Sequence, residues 1–326
     1  MRLAIYHHRG VTRHGLVTGG TVQPIAVGDL WALLLGEETA QPDGDPVPLA
    51  DVELRAPLQP ATFRDFMTFE QHVEGTSRAM HDGGQPPEEW YQAPAFYFSS
   101  PYSVVGPFDD VPVPPGCRVF DFEFEVAAVV GKAGRDLTPE QAGSHIVGYA
   151  ILNDWSARDI QRREMAVKLG PVKGKDSATT IGPCLVTPDE LAEFRRDGFL
   201  DLEMEVAVNG VVLGRDSLRN MAWTFEEMVA YASRGAWVMP GDVLGSGTCG
   251  TGSLVELWGR YGQQAHPPLR PGDRVAMTAT GLGSISNRIV AGTEPVPIPP
   301  ARRQNYQVYQ PELPGIADRR SQPAAQ

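Results

Sequence analysis

Cysteine is scarce in this chain. Only Cys117, Cys184 and Cys249 occur, far apart and with no C-x-x-C pair, which disfavours a disulfide framework and a thiolate zinc site and suits a reduced compartment. Long apolar runs are missing as well: none approaches the roughly 20 residues that span a bilayer, which argues against membrane insertion. The opening "MRLAIYHHRGVTRHG" has no apolar stretch leading to a small-residue cleavage site, so the expected location is cytoplasmic. Positive charge is the third shortage. With 28 Lys and Arg against 40 Asp and Glu, the net charge of -12 opposes a phosphate backbone, and no basic cluster with interleaved aromatics offsets it. Nucleic acid is therefore excluded as the expected partner. What is present is ordinary for a folded enzyme: 326 residues, 42% hydrophobic and 21% charged, enough to bury a substantial core.

Along the chain, "LAIYHHRG" and "HGLVTGGTVQPI" alternate apolar and polar positions around Gly19 and Gly20, which predicts a leading β-hairpin module. Residues 37 to 60 are rich in Pro, Asp and Gly and read as a connector, so the expected division is a small β domain over 1–60 and a main domain over 61–299. Residues 300–326 lack periodicity and read as a tail or arm. In "FRDFMTFEQHVEGTSRAM", Phe66, Phe69 and Val73 fall at helical spacing, with His72 and Glu74 pointing elsewhere. Capping-box patterns at Thr138 with Gln141, Thr187 with Glu190 and Thr224 with Glu227 predict three further helix starts. Strand-like runs outnumber these helices. The fold class expected is β-rich α+β rather than regular βαβ winding.

The segment "FDFEFEVAAVVG", residues 120–131, carries Asp121, Glu123 and Glu125 on alternate positions of a strand that otherwise reads as buried. Residues two apart share a strand face, and buried like charges need a cation or a proton to neutralise them. "LEMEVAVNG" repeats the same spacing at Glu203 and Glu205 but runs into an Asn-Gly turn, so alternation by itself also describes a solvated face. What separates the first segment is its companion. Asp154 ends the apolar run "IVGYAIL" and supplies a third oxygen, and an all-carboxylate set suits magnesium, manganese or calcium rather than zinc.

"DFEFEVAAVVG", "GYAILNDWSARDIQ", "LGPVKGKDSATTIGP", "PGDVLGSGTCGTG" and "ATGLGSISNRIV", in this order, resemble the fumarylacetoacetate hydrolase family over roughly residues 60 to 296. The resemblance implies a mixed β-sandwich or roll catalytic domain behind a small N-terminal β domain, commonly a homodimer. By the same resemblance Glu123, Glu125 and Asp154 ligate the metal, with Asp121 flanking them at the wetter entrance of the strand. Arg158, Gln161, Thr179 and Thr248 would bind a small keto-acid substrate, and Lys175 would stabilise oxyanion or enolate charge. For the general base, the animal-type histidine position is taken by Ser103 and a further aspartate position by Phe96, while Glu256 matches the glutamate of that dyad. Bacterial-type members carry a histidine–glutamate pair on a helix after the leading domain, which nominates His72 with Glu74 or Glu70, although Ser100 stands where those members have a lysine. The activity implied is hydrolysis of a C–C bond in a 2,4-diketo acid. Decarboxylation of a 2-keto diacid, isomerisation of a dienol, and a catalytically inactive binding protein are the alternatives.

Overall fold

A computed structural model of the chain describes residues 1–80, 83–263 and 265–302. Residues Met1–Glu294 form one compact unit; of the second, which begins at Pro295, the described residues have no regular secondary structure and are exposed. Most of the tail expected over 300–326 falls outside the described residues.

The fold is β-rich, and a sheet of 13 strands dominates the compact unit. Its central path runs Arg2–His8, Thr179–Val186, Ile146–Asp154, Phe124–Val130, Asp242–Gly245, Thr62–Phe66, Phe96–Ser99. The leading hairpin is present as Arg2–His8 against Val11–Thr18. It joins the sheet through antiparallel pairing of Arg2 with Val186 and Leu3 with Leu185.

The Phe124–Val130 strand is buried on both faces, which explains why its sequence turns continuously apolar. Phe124, Val126, Ala128 and Val130 enter the larger apolar core, whereas Ala127 and Val129 enter a second one with Leu3, Phe63, Leu152, Ile181 and Val243. Each fully buried Phe or Leu of this kind stabilises the fold by about 1.5–3 kcal/mol. Strand alternation then puts Glu125 in phase with Ala127, Asp154 with Leu152, and Asp65 with Phe63. All three acids therefore leave the sheet on the face of the second core, where its apolar filling ends.

The comparison segment behaves as its Asn-Gly turn predicts. Glu203–Val208 and Val211–Ser217 form a hairpin around Asn209 and Gly210, both with positive φ of 52° and 80°, in a separate five-stranded sheet.

Three expectations change. The helix after the connector spans Glu70–Met80, so Phe66 instead ends the preceding strand and only Phe69 and Val73 pack with the helix. Capping boxes form at Thr138 and Thr224, but Thr187 makes none: its hydroxyl and amide both bond the carbonyl of Met1, and the segment behind it, Pro188–Phe194, is a 3₁₀ helix. Finally, the strand carrying the three acids is interrupted. Phe120–Asp121 pairs with Ser156–Ala157, the ladder resumes only at Phe124, and Asp121 is fully buried rather than at a wet entrance.

Candidate active site

Four buried carboxylates, Asp65, Glu123, Glu125 and Asp154, bring one oxygen each within 4.8 Å of one another. The sheet register assembles them. Glu125 lies opposite Leu152 and Asp154 opposite Thr179 on neighbouring strands, while Asp65 lies opposite Gly245 across a parallel pair. Gly245 leaves the necessary room: a Cβ there would stand 2.6 Å from Asp65 Oδ1 and 2.7 Å from Glu125 Oε2. Tyr97, opposite Asp65 on the other side, donates its hydroxyl to Asp65 Oδ2 at 2.8 Å and also bonds Asp154. Asp65 and Tyr97 are absent from the sequence-derived set. The available signal was one acid in the otherwise buried run "TFRDF", in phase with Phe63.

The electrostatics call for a cation. Burial first, then the neighbouring Asp65, pushes the Glu125 carboxyl well above the ordinary carboxylate range, and burial with Asp154 does the same to Asp65. Burial also raises Asp154, against the pull of Lys175. Glu123 moves the other way, because Arg158 and Lys175 outweigh the cost of its burial. Asp65 Oδ1, Glu125 Oε1 and Asp154 Oδ1 are buried without a hydrogen-bond donor. Such oxygens are costly unless something positive meets them, and the donor set is all hard oxygen, so these residues fit a divalent cation of the magnesium, manganese or calcium type.

Two cations of the protein itself flank the cluster. Lys175 Nζ bonds Asp154 Oδ2 at 2.6 Å and also Glu123, and these two carboxylates hold its pKa above the ordinary lysine value despite burial. Arg158, at the start of the Arg158–Met165 helix, reaches Asp121 and Glu123, both at 2.7 Å, and its Nη1 donates to Gln161 Oε1 at 3.1 Å. Asp121 accepts from the backbone N–H groups of Leu254 and Val255 at 2.8 and 3.0 Å, the first turn of the Leu254–Tyr261 helix. An anion there is favoured by the helix dipole, and Asp121 thereby ties that helix to Arg158. Thr179 and Thr248 are both buried, the first opposite Asp154, the second in the glycine-rich segment that follows Gly245.

The partner of His72 differs from expectation. His72 Nδ1 lies 3.3 Å from Glu256 Oε2, and its Nε2 faces the cluster, 3.9 Å from Glu123 Oε1. Glu256, fully buried, also accepts from the Thr251 N–H at 2.8 Å and from Arg260 Nε at 3.0 Å. Glu74 instead faces Arg78 at 3.8 Å, and Glu70 accepts from the Tyr91 hydroxyl at 2.5 Å, so neither partners His72. The helix turn explains this: two residues on, Glu74 sits on another side of the helix from His72. The Glu70–Met80 and Leu254–Tyr261 helices cross at two glycines, where a Cβ on Gly75 would stand 2.2 Å from Glu256 Cγ and one on Gly259 would stand 2.1 Å from the Gly75 carbonyl. That close approach is what seats the imidazole on the glutamate.

The positions where a histidine and an extra aspartate were missing are otherwise occupied. Phe96 packs on Phe66 with ring centroids 4.9 Å apart, the Ser103 carbonyl accepts the Thr179 N–H at 2.9 Å, and Ser100 Oγ accepts from the Tyr102 N–H at 3.4 Å. Asp65 and His72 bring an aspartate and a histidine to the cluster from the preceding strand and helix, and His72 meets Glu256 there.

Known proteins are similar to this chain over most of its length. The model for the C-terminal domain of fumarylacetoacetate hydrolase matches residues 61–290, and one described as Rv2993c-like, N-terminal, matches residues 1–57. Oxaloacetate tautomerase YisK of Bacillus subtilis is 29% identical over 283 residues, 84% of this chain and 87% of that protein. Protein Rv2993c of Mycobacterium tuberculosis is 31% identical over 252 residues, 76% of this chain and 82% of that one. Among solved structures, 2-hydroxyhepta-2,4-diene-1,7-dioate isomerase from Mycobacterium marinum superposes with a TM-score of 0.67 at 25% identity, covering 89% of this chain and 98% of that chain. With a family model spanning residues 61–290, within which all four clustered acids fall, the chain belongs to the fumarylacetoacetate hydrolase family, metal-dependent enzymes of hydrolase, isomerase or tautomerase type.

Proposed function

We propose that this protein hydrolyses a C–C bond in a 2,4-diketo acid of the acylpyruvate type, with a divalent cation held by Asp65, Glu123, Glu125 and Asp154. The observation that carries this reading is the His72–Glu256 pair facing that cluster, at 3.3 Å within the pair. When bound, the cation would polarise the substrate carbonyl and orient it. Glu256 accepts from Nδ1–H and so leaves the Nε2 lone pair of His72 to take a proton from water. The water oxygen forms a bond to the distal carbonyl carbon, the adjacent C–C bond breaks, and its electron pair leaves as the enolate of the 2-keto acid. Lys175 stabilises that charge, and the imidazolium returns its proton to the carbon. Arg158 and Gln161 hold the substrate carboxylate end, with Thr179 and Thr248 completing the contact.

Keto–enol tautomerisation of a 2-keto diacid is the second reading. The similarity to the Bacillus tautomerase over 84% of the chain favours it, and the same base and lysine would serve a proton transfer without a water attack. Purified protein should be assayed with acylpyruvates, fumarylpyruvate and oxaloacetate, with magnesium or manganese and after chelation. Metal-dependent release of pyruvate from an acylpyruvate supports hydrolysis. Turnover confined to oxaloacetate enolisation replaces it with the second reading, and no metal-dependent turnover of any of them rejects both.

A further inference from the structure

We propose that Glu164 is a positioning residue for Lys175, holding the loop that delivers the lysine to the carboxylates. Its two carboxylate oxygens accept three backbone N–H groups from the far end of that loop: Val172 at 3.0 Å, Lys173 at 2.6 Å and Gly174 at 3.0 Å. A single acid thus gathers three consecutive amides immediately before Lys175, a charge-assisted arrangement that resembles a backbone anion nest filled by the chain's own side chain. Burial alone would raise Glu164; the three amides outweigh it and keep the carboxyl below the ordinary range.

The loop is otherwise held at its return, where Ser99 Oγ donates to the Lys175 carbonyl at 3.0 Å, and it is exposed before that. From 165 to 169 its residues are exposed, Val167 and Leu169 at 73% and 78%, and the chain turns through positive φ at Lys168 and Gly170. It returns to the body of the protein at Gly174, whose carbonyl accepts the Ala157 N–H at 2.8 Å and where a Cβ would lie 2.7 Å from Gln161 Cβ. Arg158, Gln161 and Glu164 are spaced three apart on one helix. That helix therefore presents the substrate-end pair and, one turn on, the anchor that sets where Lys175 emerges. Without the anchor, Val172, Lys173 and Gly174 lose their shared acceptor, and the lysine is held less firmly against Asp154 and Glu123.

The catalytic consequence rests on the role of Lys175 in the reaction above; the positional one does not, so both are measured. In full-length, magnesium-loaded Glu164→Ala, kcat should fall about 100-fold with KM within about threefold, since a misplaced group costs the chemical step more than binding. Independently, brief acetic anhydride labelling followed by peptide mass spectrometry reads the lysines themselves. In the parent protein Lys175, 4% exposed, should resist modification while Lys173, 71% exposed, is modified; in Glu164→Ala the two should be modified alike. Glu164→Gln, which keeps the shape and loses one acceptor, should lie between, and carries the test if the alanine variant does not fold. Lys175 remaining protected in a folded variant overturns the proposal whatever the activity; parent-like kcat in a variant whose Lys175 is modified overturns its catalytic consequence. If the parent protein turns over none of the substrates, the functional reading fails, and the labelling contrast still upholds or overturns the positioning role.

Discussion

At the residue scale, the site depends on acids placed where water cannot solvate them. Glu125 is fully buried beside Asp65, with one oxygen lacking any donor, so Glu125→Gln removes a ligand without changing shape. Calorimetric titration should show magnesium binding weakened by at least about 100-fold, the upper range for lesser, outer-sphere changes, with turnover lost. His72→Ala should instead leave magnesium affinity within a few-fold of the parent and lower kcat by about 10²–10⁴. Equal loss of metal binding in both variants would show that His72 supports the cluster rather than the proton transfer. The pH dependence follows from the shifts of Asp65, Glu125 and Asp154, all raised in the folded protein. Raised carboxylates contribute stability that is present below their ordinary values of 3.8 and 4.5 and is lost as pH rises through the folded values. Chelated protein should therefore melt at progressively lower temperature as pH increases above that range, Glu123 acting in the opposite sense. Added magnesium should restore the melting temperature by more at pH 8 than at pH 5, as scanning fluorimetry would read.

At the element scale, helices rather than loops carry His72 and Glu256, and the glycine-to-glycine crossing sets their spacing. Gly75→Ala places a methyl group against the Glu256 side chain. Overpacking of this kind costs about 1–3 kcal/mol, and urea denaturation should show a loss in that range. The variant should also lose more than about tenfold in kcat, since the displaced atom is the partner of the base. Parent-like kcat in a destabilised Gly75→Ala would show that the helices can separate without disturbing the pair. This crossing also explains why Glu256 is legible as a family position while its contact with His72, for which Glu74 or Glu70 was the expected partner, is not. Glu74 is close to His72 along the chain, whereas Glu256 reaches it from a helix 184 residues away.

At the scale of the whole molecule, the leading hairpin and the acidic cluster share one sheet. Arg2 and Leu3 pair with the strand that carries Thr179, and that strand pairs with the one ending at Asp154. Leu3 is fully buried in the second core, so Leu3→Ala should cost about 2–5 kcal/mol. Denaturation of that variant, followed by fluorescence and circular dichroism, should shift one shared transition. Separate transitions by the two probes would show the hairpin unfolding independently of the sheet. Among the described residues no helix is long and apolar enough to cross a membrane.

The sequence by itself determined the β-rich class, the leading hairpin, the Asn-Gly control hairpin and three of the four clustered acids, because alternation, turn residues and apolar runs are local signals that survive without the fold. The resemblance of its segments to the fumarylacetoacetate hydrolase family also marked Lys175, Arg158, Gln161 and Glu256. Tertiary structure alone decided that Asp65 joins the cluster, that Tyr97 bonds two of its acids, that Asp121 anchors a helix instead of lining a wet entrance, and that His72 meets Glu256. Each of these is a contact between strands or helices far apart in sequence. Register across a parallel and an antiparallel pair, a helix N-terminus meeting Asp121 and the close approach at Gly75 create them, and none leaves a periodicity in the chain to be read.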